Sequence, residues 1–468
     1  MSGNTTTDLQ PTPATAAVTA SPWVAFWIAS SAVFLVSLDT TMLFAAFDAL
    51  RQSFTGSSTA TLSWVLNAYT VVYAAMLIPA GGLADAHGRK RVFQLGLAVF
   101  IAASLACGLA PSVEWLIVAR VLQALGAALL TPASMSIVLA AFPVERRAVV
   151  ISLWGAVGGL AAAVGPSLGS WVADQAGWPW AFYINVPVGL WALWQSRLRI
   201  EEAVKPTLRR RVDVVGLLLL MVAVGAVALA IVESGSPAWH ASQIAAVAGG
   251  GILAAIAFVV WARFHTAPLL DLSLFAHVTY RYVNAATLAF GTAFSMMFLG
   301  FFFFMTGVWH YTLPQAGLAV TPGPLLVMPT AIITGRLAGR LGHRPFLIGG
   351  SLLYACSGLW FLLVPGSEPD YLHAWLPGLL MSGVGVGLVL PSLAGAAVSR
   401  LPAEHYAVGA AFNQATRQIG SVLGVAITVG LLGHADVIRT DFNLLYGLHA
   451  GLALLTALLC VPVDTRPR

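Results

Sequence analysis

Long apolar runs recur along this chain, at residues 23–47, 61–83, 92–110, 112–139, 147–172, 180–196, 214–232, 244–264, 282–308, 316–338, 346–365, 373–398, 408–433 and 443–462. Most reach the roughly 20 residues that a helix needs to cross the hydrocarbon core of a bilayer. Backbone polar groups find no water there, so only helices and closed barrels can span it, and these runs are too long for barrel strands. The pattern predicts an all-α polytopic membrane protein of fourteen transmembrane helices. An even count places both termini on one side.

Composition agrees, with 59% hydrophobic residues, only 9% charged residues and a mean hydropathy of +0.85. Soluble domains carry about a quarter charged residues. Residues 1–22 are rich in Thr, Ala and Pro and hold no Lys or Arg, which predicts a disordered tail ahead of a retained first span. Cys107, Cys356 and Cys460 sit in apolar runs without metal-ligand spacing and are expected to be buried apolar residues, with no disulfide and no metal.

Charge sets orientation. One set of connections carries most of the Lys and Arg residues, among them Arg89, Lys90, Arg91, Arg146, Arg197, Lys205, Arg209, Arg210, Arg211, Arg344 and Arg400; the other holds only Arg51 and Arg439. The basic face should be cytoplasmic, with both termini there, in the cell membrane. The net charge of +5 is therefore topological, and no nucleic-acid partner is expected. Residues 197–213 form the longest charged connection, a linker suited to lie against an anionic leaflet.

The chain also repeats itself. GGLADAHGRKR from Gly81 to Arg91 has a weaker copy, GRLAGRLGHRP, from Gly335 to Pro345, pairing Leu83 with Leu337, Gly88 with Gly342 and Lys90 with Arg344. A second block pairs Gly126 with Gly385, Pro132 with Pro391 and Gly165 with Gly424. Two six-helix units are expected, at 23–196 and 276–468, with a basic linker and two inserted helices between them at 197–275. Copies separated by an even number of spans share one orientation, the arrangement of parallel transporter repeats, with a substrate cavity between the halves.

Polar residues inside the spans are the candidates for chemistry. Asp39, in VSLDTTMLF, lies deep in the first span, where a carboxylate is expensive and marks function. It could exchange a proton as its surroundings change, or stay a charged partner that holds helices together. Arg120, in the fourth span, remains charged when buried and needs such a partner, Asp39 first and the peripheral Glu114 second. Thr40, Thr41 and Gln123 could line the same cavity or bond between helices. Asn413, Gln414, Arg417 and Gln418 form a polar cluster in the thirteenth span, able to bind an anionic group or to make internal hydrogen bonds. In the fifth span Gly155, Gly159, Ala161, Gly165 and Gly169 recur at four-residue spacing, a face for close helix approach, and Pro166 favours a kink. Between the second and third spans Asp85 and Arg89 flank Gly88, either as a solvated turn or as a latch. No paired carboxylate, His-rich metal set or activated Ser in the spans speaks for an enzyme.

Together these motifs resemble the major facilitator superfamily, and specifically its fourteen-span drug:proton antiporters of the EmrB/QacA type. LDTTM at Leu38–Met42, WVLNAY at Trp64–Tyr69, GGLADAHGRKR with Gly82, Asp85, Gly88, Arg89 and Lys90, the Arg120, Gln123 and Gly126 set, GPSLGS at Gly165–Ser170 and WPWAFYINVPVG at Trp178–Gly189 follow in that family's order over nearly the whole chain. The resemblance implies proton-driven efflux of small lipophilic or cationic compounds without a cofactor, by a monomer whose partners are substrate, protons and lipid. It implies Asp39 as proton carrier, Arg120 as its electrostatic partner and the Gly155–Gly169 face with Pro166 as the antiporter hinge. Ala124, Ser170, Thr306 and His310 depart from the pattern, the last two standing where Gln and Gly are common, and bear on substrate identity; Gly339 in place of an Asp leaves only the first loop as a latch. A dedicated exporter of an amino acid, peptide or siderophore is the alternative.

Overall fold

The computed structural model describes residues 21–143, 146–202, 213–235, 239–266, 268–401, 406–433 and 437–465. Residues 1–20 of the predicted 1–22 tail and the linker cations Lys205, Arg209, Arg210 and Arg211 lie outside these, as does the side chain of Asp85. The described chain folds into helices α1 (Pro22–Ser53), α2 (Thr59–His87), α3 (Arg89–Gly108), α4 (Val113–Ala141), α5 (Arg147–Ala176), α6 (Trp180–Tyr183), α7 (Asn185–Arg199), α8 (Val214–Val232), α9 (Ala241–Phe264), α10 (Val278–Gly307), α11 (Leu313–Val320), α12 (Pro322–Leu341), α13 (Arg344–Leu363), α14 (Leu376–Val398), α15 (Tyr406–Leu432) and α16 (Phe442–Leu459).

Among the described residues, 13 helical segments are long and apolar enough to cross a membrane, α11 and α12 counting as one. The predicted sixth span is the two-piece α6 and α7, and the tenth breaks where Thr321 meets Pro322. Proline has no N–H to donate, so each such break sits where a helical hydrogen bond is missing in any case. Starts are capped by short polar side chains: Ser58 Oγ accepts from the Thr61 amide at 3.0 Å, and Thr312 and Gln315 bond reciprocally at 3.4 and 3.0 Å. Stops at Gly88, Gly177 and Gly342 use φ of 100°, 89° and 76°, which a side chain would disfavour.

Helix contacts fall into two matching sets. α1 packs on α4, α5 and α7, α3 on α4 and α7, and α2 on α4. In the same pattern α10 packs on α14, α15 and α16, α13 on α14 and α16, and α12 on α14. Between the sets, α2 lies along α15 and α5 lies against α11 and α12, the same pairing seen from either side. α8 covers the α2–α15 seam, α9 packs on α8, and these two are the least buried of the long helices. The opposite extreme is α10, whose Phe298 and Phe301 to Phe304 are all buried, although their apolar surface would also have suited lipid.

Candidate functional site

Asp39 and Arg120 meet in the interior of the first half, each about 1% exposed. Arg120 Nη1 donates to Asp39 Oδ2 at 2.6 Å, and its Nε donates to the Val65 carbonyl at 3.0 Å. Asp39 Oδ1 accepts from Gln123 Nε2 at 2.8 Å and from Asn185 Nδ2 at 2.9 Å. Gln123 is itself fixed: its Oε1 accepts from Arg120 and its Nε2 also donates to Ser104 Oγ at 2.9 Å. The guanidinium lies 4.0 Å from the Tyr69 ring centroid, a cation–π contact that helps hold a charge away from water. Three donors from α4 and α7 thus converge on one carboxylate. Three of the roughly four acceptor positions of the carboxylate are therefore filled, which ties the ionised form of Asp39 to the present packing of α1, α4 and α7.

Sequence reading brought together Asp39, Arg120 and Gln123 and missed Asn185, Tyr69 and Ser104. Asn185 carried a signal, a lone amide in an apolar stretch. Glu114 is exposed at the start of α4 and takes no part. Thr40 and Thr41 bond back to carbonyls of their own helix, Val36 at 2.9 Å and Ser37 at 3.0 Å. Asn413 is buried and donates to Asn284 at 3.1 Å and Thr287 at 2.8 Å, joining α15 to α10 within the second half. Arg417 donates to Gln414 at 3.2 Å, and both face Tyr73 of α2 across the seam.

The glycine face of α5 is split. A side chain at Gly165 would collide with Thr41, and one at Gly169 would come within 2.7 Å of Met42 Cα, so these two do admit α1 closely. Gly155 and Gly159 meet nothing within 4 Å, contrary to the expectation of one continuous packing face. Gly158, outside the four-residue spacing, completes the contact against Val33 and Ser37. Pro166 lies within the same helix, where its carbonyl accepts from Ser170 Oγ at 2.7 Å.

At the Gly88 turn, Glu202 sits on the start of α3, accepting from the Lys90 and Arg91 amides at 3.2 Å each. A carboxylate complements the positive end of a helix. Arg89 reaches the Ser136 carbonyl at 3.4 Å, Lys90 Nζ donates to the Arg197 carbonyl at 3.2 Å, and Gly82 meets nothing within 4 Å. Among the described side chains, Glu202 is the carboxylate that engages this turn, from the segment after α7, a partner the sequence did not point to.

A family profile described as Major Facilitator Superfamily matches residues 29–425 and again 285–468. The chain belongs to this superfamily. It is similar to the multidrug resistance protein Stp of Mycobacterium tuberculosis, 33% identical over 402 residues that span 86% of this chain and 74% of that protein. It is 30% identical to a methylenomycin A resistance protein of Streptomyces coelicolor, over 86% of this chain and 83% of the relative. With a tetracenomycin C resistance and export protein of Streptomyces glaucescens it shares 29% identity over 87% and 75% of the two chains. Among solved structures, a peptide transporter POT in complex with sulfate superposes with a TM-score of 0.66 over 94% of this chain and 93% of that one, at 18% identity. That likeness speaks to the fold. As a superfamily member the chain is a multi-pass membrane transporter rather than an enzyme, and its relatives are multidrug and antibiotic exporters.

Proposed function

We propose that this transporter is a proton-coupled antiporter that exports small lipophilic or cationic compounds across the cell membrane by alternating access, with the basic face cytoplasmic. The observation that carries the reading is the Asp39 cluster: a buried carboxylate with three side-chain donors on two other helices, whose ionised form depends on how those helices pack. Asp39 takes a proton in the outward-facing state as substrate leaves, and gives it to the cytoplasm in the inward-facing state as substrate enters. Arg120 stays charged throughout and favours return of the carboxylate.

The packing fits one stage of such a cycle. Toward the face that carries the α1–α2 connection, Phe44 meets Phe298 and Phe47 meets Phe303, with centroids 5.6 and 5.9 Å apart, and Ser167 of α5 meets Thr321 at 2.5 Å. Toward the basic face, Gly155, Gly159, Gly335 and Gly339 all border open space. This is the form expected of a transporter closed to the outside. In proteoliposomes, adding a toxic lipophilic cation that the wild type exports should move protons the other way, and Asp39→Asn should abolish both that movement and cellular resistance to the compound. Export by Asp39→Asn that still runs uphill and responds to a proton gradient would defeat the reading.

A further inference from the structure

A second carboxylate, Asp48, is buried farther along α1, near the face that carries the α1–α2 connection. Its Oδ2 lies 2.5 Å from Thr306 Oγ1 of α10, a contact that crosses from one half to the other, and its Oδ1 lies 3.4 Å from Arg51 Nη1. Thr306 Oγ1 also lies 2.9 Å from the Phe302 carbonyl. A hydroxyl has one proton to donate, and a carbonyl oxygen can only accept. If Asp48 is ionised, Thr306 can serve one of these acceptors, leaving the other contact as lone pair against lone pair. If Asp48 is protonated, its carboxyl donates to Thr306 and Thr306 donates to Phe302, so both contacts become hydrogen bonds. Arg51 and Thr306, the two side chains that touch Asp48, also line a cavity of about 370 Å³ together with His310 and Arg439.

We propose that Asp48 is a second protonation site, separate from Asp39, that seals this face of the transporter. It takes a proton from water on that face as the halves close, and returns the proton to the same water as they part. No proton crosses the membrane through it, so it gates transport without entering the stoichiometry. The inference rests on the alternating-access part of the proposed function. Among the described ionisable groups around Asp48, only Arg51 approaches within ion-pair distance. His310, beyond α10, and Arg439, before α16, line the cavity, but Arg439 is committed to the Leu362 and Pro365 carbonyls at 2.6 and 2.5 Å. Glu114 of α4 and Asp174 of α5 are exposed toward the same face, and Tyr183 of α6 lies against Gly108. Among the described residues α2, α7 and α11 bring no ionisable side chain to that end of α1.

The test reads conformation without substrate. Spin labels at the exposed positions Thr55 and Glu368, in the full chain with Cys107, Cys356 and Cys460 replaced and reconstituted in liposomes, report the separation of the halves at this face. In the otherwise unaltered chain the ratio of long to short separations should rise with pH, by at most about tenfold per pH unit for one titrating group. Asp48→Asn, whose amide can donate to Thr306 at every pH, should stay short and flat. Thr306→Val, which leaves the carboxyl in place, should raise the long population even in acid. Asp39→Asn should keep the pH response. A chain without any pH response, an Asp48→Asn protein that responds like its parent, an unshifted Thr306→Val, or a response lost with Asp39→Asn would each overturn the proposal. Export by Asp39→Asn would instead remove the proposed antiport and leave this gate standing.

Discussion

At the scale of single residues, His310 shows what a strained backbone position costs and where it points. It is the one non-glycine residue with positive φ among those described, at 52°, in the connection between α10 and α11. A Cβ in the left-handed region costs roughly 1–2 kcal/mol. His310→Gly should therefore raise stability by about 1 kcal/mol, less the extra chain entropy that glycine brings to the unfolded state. A higher midpoint of thermal unfolding in detergent would show it; a lower one would mean that the imidazole makes contacts worth more than the strain. The sequence signalled His310 and Thr306 only as oddities. It could not show that Thr306 bonds to Asp48 or that Thr306 and His310 line one cavity, because Asp48 gains its partner from α10 in the other half of the chain.

Among the elements, α5 separates what periodicity can and cannot say. The small-residue spacing is visible in the sequence, but a four-residue step on a helix of 3.6 residues per turn drifts by about 40° each time. Gly158, Gly165 and Gly169 stay on the stripe that faces α1, whereas Gly155 and Gly159 rotate off it. Gly169→Ala should cost about 1–3 kcal/mol, since the new methyl meets backbone of α1 rather than a movable side chain. Gly155→Ala should be neutral or stabilising by up to about 1 kcal/mol through helix propensity alone. Equal unfolding midpoints for the two variants would refute the split. The α8–α9 pair is joined by another element-level device, Asp213, which accepts from the Gly216 amide, the Trp261 indole and the Leu269 amide at 2.8, 2.8 and 2.9 Å. Burial alone would raise its pKa, but these donors and the nearby His265 hold it below the ordinary carboxylate value. A depressed folded-state value means stability that is present above the unfolded pKa of about 3.9 and lost as pH falls through the folded one. Protease nicking of the segments that flank α8 and α9 should accelerate below about pH 4 in the wild type. In Asp213→Ala it should be fast already at neutral pH, and slow nicking there would contradict this role.

For the whole molecule, the repeat was legible and the closure was not. GGLADAHGRKR and its copy announced two related halves, and the correspondence extends to details no motif spelled out. Gly88 and Gly342 turn the chain with positive φ in both copies, and each following helix start is capped from the segment that follows the last helix of its own half, by Glu202 on Lys90 and Arg91 and by Thr465 on His343 at 2.7 Å. Which apolar surfaces meet across the seam could not be read, because a phenylalanine buried against another helix and one facing lipid look alike in sequence; Phe298 and Phe303 settle on Phe44 and Phe47. Alternating access demands that such contacts break once per cycle. The closest of them outside α1 and α10 is Ser167 of α5 against Thr321, hydroxyl to hydroxyl at 2.5 Å, with Gly317 pressed onto Ser170 one turn away. Cysteines at 167 and 321, in a chain freed of its own three, should oxidise readily, since side chains that touch head to head are near the Cβ separation of about 3.8 Å that a disulfide needs. Oxidation should halt export of a compound the reduced protein carries, and reductant should restore it. Full-rate export by completely cross-linked protein would show that α5 and the α11–α12 junction stay together throughout turnover, and would confine the opening to α1 and α10.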